Sequence, residues 1–237
     1  MGIIASNSQV GLFSAAFKII TFFLIFDRVF NFLFFPKITA LISSSPESLE
    51  EVFNKIIKII SIFSLFIAVI VIVSAGFIIN IAFGKTYVDA TIILQVLTGY
   101  LFFTLLNSVF TYTFIGMHKE KVYTFSIMWG LAVFILLTFS LAPFFGRMSV
   151  VYSFIFFDLI SMTFMTFKLK KIITVKILRP VALPVLITLG FVLPIVYLGR
   201  LSIFWEIVII GVIYFPLIVL IAGFSKNEIH FLKRALT

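Results

Sequence analysis

Apolar runs long enough to cross a bilayer follow one another along the chain, separated by short polar or basic breaks. A spanning helix needs about 20 residues at about 1.5 Å rise each, and on that measure the pattern predicts about seven spans. The first runs from Val10 to Phe35 and is ended by Pro36, since proline removes a helical donor. The second starts as an amphipathic helix. Ser45, Pro46 and Glu47 suit its N-cap, first residue and positive end. Leu49, Val52, Phe53, Ile56, Ile57 and Ile60 line one face, and Glu47, Glu50, Glu51, Asn54, Lys55 and Lys58 the other, with Glu51 and Lys55 spaced as a helical ion pair. Its start lies along the membrane surface or stands in water. It enters the bilayer near Ile59, runs to about Ile81, and Gly84 is its stop. The third span covers 88–115, the fourth 122–142 closed by Pro143 and Gly146, and the fifth 149–167. The sixth begins at Pro180 and the seventh covers 201–224.

The first span breaks the pattern. Lys18, Asp27 and Arg28 stand well inside an apolar run, where a charge costs a few kcal/mol on insertion scales and is normally hidden among helices or in a watery cavity. On a helix Ser14, Lys18, Thr21, Ile25 and Arg28 recur at steps of three and four and form one seam. Asn31 follows on its drifting edge, and Asp27 points elsewhere, one turn from Asn31. The seam reads as the wall of a transport pathway. The competing readings are a buried ion pair, or side chains that snorkel to the interface. Asp158 lies near the centre of the fifth span. Gln95 and Asn107 read as helix-to-helix hydrogen bonds rather than substrate contacts, and Glu206 as a residue reaching the outer interface.

Composition agrees with the spans: 62% of the 237 residues are hydrophobic and 11% charged, against an ordinary apolar share of about 45–50%. With no cysteine, disulfides, thiolate metal sites and cysteine nucleophiles are excluded, and two histidines make no metal cluster, so neither metal nor cofactor is expected. The net charge of +9 needs no nucleic acid to explain it, because the cations collect in alternate loops. Thirteen Lys and Arg residues fall on one side and three (Lys85, Arg147, Arg200) on the other, leaving Lys18 and Arg28 in the membrane. The positive-inside rule then puts the first residues outside and the tail in the cytoplasm. The basic run Lys168, Lys170, Lys171, Lys176, Arg179 is read as a topology determinant rather than a lipid-binding element.

Several segments resemble one family. Val10-Gly11-Leu12-Phe13-Ser14-Ala15-Ala16-Phe17-Lys18-Ile19 is similar to the Val-Gly-Leu-Tyr-Ser-x-Ala-x-Lys-Leu segment of Wzx-type (O-antigen) polysaccharide flippases. These belong to the multidrug/oligosaccharidyl-lipid/polysaccharide exporter superfamily. Pro36-Lys37-Ile38, Phe83-Gly84-Lys85-Thr86-Tyr87 with Ala90 and Ile93-Leu94, Gly116 to Lys121, and Pro143-Phe144-Phe145-Gly146 resemble further family segments in the family's order. Trp129-Gly130 and Met148-Ser149 depart from it, while Asp158 keeps an acid where the family often has Glu.

The resemblance implies an all-α, polytopic integral membrane protein, forming a single transmembrane domain over residues 1–237 that corresponds to the C-terminal half of a two-lobed flippase. A missing N-terminal half or second subunit is therefore an expected partner, beside the lipid bilayer. The implied activity is not enzymatic: it is the flipping of a polyprenyl-diphosphate-linked oligosaccharide across the bacterial inner membrane, for surface polysaccharide or lipopolysaccharide biosynthesis. Such a headgroup is polar and anionic, so a wet cleft with cations must carry it past hydrocarbon. Lys18 and Arg28 are the candidate anion contacts, and Ser14, Thr21 and Asn31 can hydrogen-bond sugar. Asp27 and Asp158 are candidates for coupling to protons or sodium, or for partnering the cations. A drug exporter of the same superfamily is the alternative, disfavoured by cations in the seam. A membrane enzyme of polysaccharide assembly ranks lower, because no nucleophile–base constellation is visible and the outer loops are short. A scaffold ranks low too, because charges inside a span cost it stability.

Overall fold

The computed structural model describes residues 6–42 and 46–176, with shorter stretches at 181–182, 184–190, 208 and 210–222. Every regular element among them is helical. The helices are α1 (Asn7–Phe23), α2 (Ile25–Ile42), α3 (Pro46–Phe83), α4 (Ala90–Gly116), α5 (Glu120–Phe145), α6 (Met148–Leu169) and the short α7 (Phe215–Ala222). Counting α1 and α2 as one run, five are long and apolar enough to cross a membrane. They coincide with the first five expected spans. The sixth and seventh lie largely outside the described residues, as do Glu206, the tail and the expected cap Ser45. Of that region, 184–190 and the π turn Ile210–Tyr214 are described, joined by the Thr188 and Tyr214 hydroxyls at 2.6 Å.

Three boundaries differ from expectation. Pro36 does not end the first span: α2 continues to Ile42. The ring leaves the Phe32 carbonyl without its donor, and one turn later the Thr39 hydroxyl donates to the Phe35 and Pro36 carbonyls at 3.1 and 2.9 Å. Pro143 likewise stands inside α5, which stops at Gly146, where φ is +51°. The first span is also not one unbroken helix. At Leu24 the chain tightens: the Asp27 N–H bonds the Leu24 carbonyl three residues back, at 3.1 Å. That leaves Asp27 in the first turn of α2, at its positive end.

The 38 residues of α3 give a rod of about 57 Å, against about 30 Å of hydrocarbon. Its first turns therefore stand clear of the apolar layer, with Lys55 on Glu51 at 2.5 Å. At the far end Gly84, with φ +81°, donates to the Asn80 carbonyl at 3.0 Å and stops the helix as expected.

In lipid the packing of helices cannot draw on hydrophobicity, because the tails are as apolar as leucine; close fit and interhelical hydrogen bonds hold the bundle. The central element is α4, which touches α1, α2, α3 and α6. Phe110 of α4 meets Phe53 of α3 edge-on at 5.1 Å, and both are fully buried. The Gln95 amide donates to the Ile72 carbonyl of α3 at 3.0 Å, the interhelical role its sequence position suggested. The pair α5–α6 is built differently. Ser126, Gly130 and Thr138 are the buried residues of α5 and lie on one line. The Ser161 hydroxyl donates to Ser126 at 3.1 Å, and a Cβ at Gly130 would stand 2.9 Å from the Phe157 carbonyl oxygen. Small residues at Ser126 and Gly130, one turn apart, let these antiparallel helices close together.

The start of α3, the α4–α5 turn and the end of α6 share one end of the bundle. Asn54 of α3 bonds the backbone at Thr174, which follows α6. Lys55, Lys58, Lys119, Lys121, Lys168, Lys170, Lys171 and Lys176 collect there, while Lys85 and Arg147 lie at the other end. Among the described residues, the charge segregation read from alternate loops is kept in the folded bundle.

Candidate functional site

The rotation of α1 is set by its aromatic face. Phe13 and Phe17 stack on Phe154 of α6 at 6.3 and 5.5 Å, and Phe17 faces Tyr100 of α4 at 6.3 Å. Leu12, Ala15, Ala16 and Ile20 are buried beside them. The opposite side of the helix is therefore turned out of the bundle, and Ser14, Lys18 and Thr21 stand on it, all exposed. Beyond Leu24, α2 is held by Phe26 and Phe30 against Phe63 of α3, at 5.3 and 4.9 Å, and by Phe35 against Tyr112 of α4, at 5.6 Å. This leaves Ile25 and Arg28 on the outer face, in line with Lys18. The seam thus survives the break, with all five of its members exposed.

Lys18 and Arg28 lie six and four residues from Leu24, about 9 and 6 Å along the axis on either side. Leu24 is near the middle of the 34-residue run 7–40, and a bilayer centred on that run would bring both cations to hydrocarbon depth. Among the described residues no carboxylate comes within ion-pair distance of either. The Thr21 hydroxyl donates to the Phe17 carbonyl at 2.8 Å, its lone pairs still facing outward.

The acids turn inward. The Asn31 amide donates to Asp27 Oδ2 at 3.1 Å, the one-turn pairing read from the sequence. Asn31 is thereby drawn off the seam toward Asp27. The other oxygen, Asp27 Oδ1, is buried without a hydrogen-bond partner, on the side of α2 that meets Ser108 of α4. Asp158 of α6 is buried, 4% exposed. It accepts the Asn107 amide at 3.0 Å and the Thr104 hydroxyl, both from α4. Asn107 is therefore an interhelical contact, as expected, and its own Oδ1 is buried without a partner.

The predicted site residues thus fall into two groups. Ser14, Lys18, Thr21 and Arg28 form an outer cationic and hydroxylic stripe. Asp27, Asn31 and Asp158 form an inner belt across α2, α4 and α6. Thr104 and Ser108 belong to that belt and were not foreseen; both lie on the Asn107 face of α4, and that clustering was the available signal. The outer stripe can bind an anion. The inner belt can exchange a proton or a small cation.

The fold and the stripe define the class: an all-helical, multi-pass membrane protein with cations at mid-span. Residues 1–92, under half of the chain, are similar to the family described as "Polysaccharide biosynthesis protein". Neither the curated proteins nor the solved structures gave a match.

Proposed function

We propose that this chain is one lobe of a transporter that flips a polyprenyl-diphosphate-linked oligosaccharide across the bacterial cytoplasmic membrane, for cell-surface polysaccharide such as O-antigen. The observation that carries the reading is the exposed stripe of Lys18 and Arg28, neither of which has a salt bridge to a carboxylate among the described residues. Two unpaired cations are costly against lipid and well suited to a water-filled cleft that accepts a diphosphate. A second lobe, supplied by another polypeptide or by a missing N-terminal half, forms the opposite wall. Ser14 and Thr21 supply hydrogen bonds to sugar hydroxyls, while Asn31, bonded to Asp27, belongs to the inner belt. Asp27 and Asp158 lie behind the stripe, where loading and release of a proton or sodium ion changes the packing of α2 and α6 on α4. The helix break at Leu24 adds support, since discontinuous helices recur at the midplane sites of transporters. The basic end of the bundle faces the cytoplasm.

The test is Lys18→Gln with Arg28→Gln, in cells whose surface polysaccharide depends on this chain. Charged hydrogen bonds contribute about 1.5–3 kcal/mol each, so losing both lowers export by about 100-fold or more. The lipid-linked precursor then accumulates in the inner leaflet. Unchanged surface polysaccharide, with the variant present at normal level, removes both residues from the mechanism.

A further inference from the structure

The basic end of the bundle is more ordered than a topology signal requires. After α6 the chain runs extended along α3, with Ile173 and Val175 buried and Thr174 and Lys176 exposed in alternation. Asn54 of α3 acts there as a surrogate peptide. Its amide donates to the Thr174 carbonyl at 2.9 Å, and its Oδ1 accepts the Lys176 N–H at 2.8 Å. Glu50 Oε2 accepts the Thr174 N–H at 2.9 Å. The backbone from Thr174 to Lys176 is therefore pinned along one edge to α3, and it carries Lys176 just after the turn that bears Lys170 and Lys171.

These bonds also fix the position of one of the acids beside the lysines. Glu50 is committed to the Thr174 N–H, and Glu51 is paired with Lys55. A cleft of about 260 Å³ is lined by Lys170 and Lys171 and by the acidic pair Glu47 and Glu50. Against that pair stand four exposed ammonium groups, of Lys168, Lys170, Lys171 and Lys176. None has a carboxylate within ion-pair distance among the described residues, and Lys168 lies over the Phe164 ring at 5.4 Å. Their depth is set as well. Phe167, 65% exposed, is the last exposed large apolar side chain of α6, and the lysines begin at the next residue. They fall at the level where lipid phosphates lie.

We propose that residues 168–176 form a fixed platform for the headgroups of anionic phospholipids in the leaflet at this end. Excess positive charge at headgroup depth selects such a partner over a soluble anion, which has no apolar tail to lay beside Phe167. The proposal rests on the multi-pass fold and is independent of the transport reading.

The full-length chain, in neutral detergent, is titrated with phosphatidylglycerol, with phosphatidylcholine and with inorganic phosphate while its thermal unfolding midpoint is followed. Phosphatidylglycerol is expected to raise the midpoint, and the other two are not. Each lysine near the surface contributes about fivefold in affinity. Changing all four to Gln therefore lowers apparent phosphatidylglycerol affinity by more than tenfold, whereas changing all four to Arg preserves it. The pair Lys85→Gln and Arg147→Gln, at the opposite end, leaves it unchanged. Asn54→Ala, with every lysine present, lowers it about fivefold by releasing the platform. A four-Gln variant that binds like wild type overturns the proposal, as does equal stabilisation by phosphatidylcholine or by inorganic phosphate. An Asn54→Ala variant indistinguishable from wild type overturns the claim that the platform is fixed.

Discussion

The α1–α2 run and α5 are covered by the rest of the molecule to nearly the same degree, with 22% and 17% of their apolar windows buried. Their open faces differ in kind. On α5 the exposed large side chains of the span are Phe125, Met128, Trp129, Leu131, Ile135, Leu136 and Phe139, with Thr124, Ala132 and Ser140 exposed among them, and none is charged. On α1–α2 the exposed set mixes Phe22, Ile25, Val29 and Phe32 with Ser14, Lys18, Thr21 and Arg28. Lipid is a sufficient neighbour for the first face and a costly one for the second. Exposure in a membrane protein therefore does not identify the solvent; the chemistry of the exposed side chains does. Here it suits α5 to a lipid boundary, and α1–α2 to the wet cleft proposed above.

The largest expected effect removes the frame that orients both faces. Phe110→Ala empties a fully buried site between α4 and α3 and should cost about 3–5 kcal/mol, read as a lower unfolding midpoint and a wider detergent sensitivity. Leu136→Ala, on the open face of α5, should move the midpoint little. Next, Leu136→Lys tests the assignment of α5 to lipid. A lysine at the centre of a lipid-facing span costs about 2.5–3.5 kcal/mol, so insertion efficiency in a membrane-integration assay should fall by about two orders of magnitude. A variant that inserts normally would show that α5, too, borders water.

A smaller effect probes what keeps α5 in place while so little of it is buried. Gly130→Ala puts a methyl group 2.9 Å from the Phe157 carbonyl oxygen, a backbone atom that cannot swing aside. Overpacking of this kind costs about 1–3 kcal/mol. The chain has no native cysteine, so a pair introduced at Ser126 and Ser161 reports the helix separation directly. Disulfide formation should slow when Gly130→Ala is added.

Much of this arrangement was legible in the residue pattern. Length and hydropathy located five spans, because in lipid every backbone group must be satisfied within a helix or a closed barrel. Three- and four-residue spacing grouped Ser14, Lys18, Thr21, Ile25 and Arg28 on one face, paired Asp27 with Asn31 and paired Glu51 with Lys55, all of which are local helical geometry. What escaped depends on tertiary placement. Leucine is no helix breaker, so the tightening at Leu24 had no local signal. Pro36 and Pro143 were given too much weight, since a proline near a helix end removes one bond that the surroundings can replace. The bonds from Thr104 and Asn107 to Asp158 join residues more than fifty positions apart, and no periodicity reports such a distance. Ser126, Gly130 and Thr138 did carry a usable signal, a small-residue line at helical spacing, which an emphasis on charge passed over.

The smallest expected change in stability sharpens the comparison most. Lys18→Leu exchanges an ammonium group for an apolar side chain of similar reach on the exposed face of α1. If that face bordered lipid, the exchange would relieve the burden of a mid-span lysine, and the membrane-embedded protein would gain about 2.5–3.5 kcal/mol. A water-filled cleft predicts almost nothing, because an exposed surface substitution usually stays within about 0.5 kcal/mol of neutral. Export of the lipid-linked oligosaccharide should nevertheless fall by about tenfold or more, since one charged contact to the diphosphate is lost. Unfolding and export are therefore measured on the same variant. Unchanged stability with impaired export is the signature of a lysine held in a wet pathway. A large gain in stability with normal export would return Lys18 to the lipid boundary and leave α1–α2 no different in kind from α5.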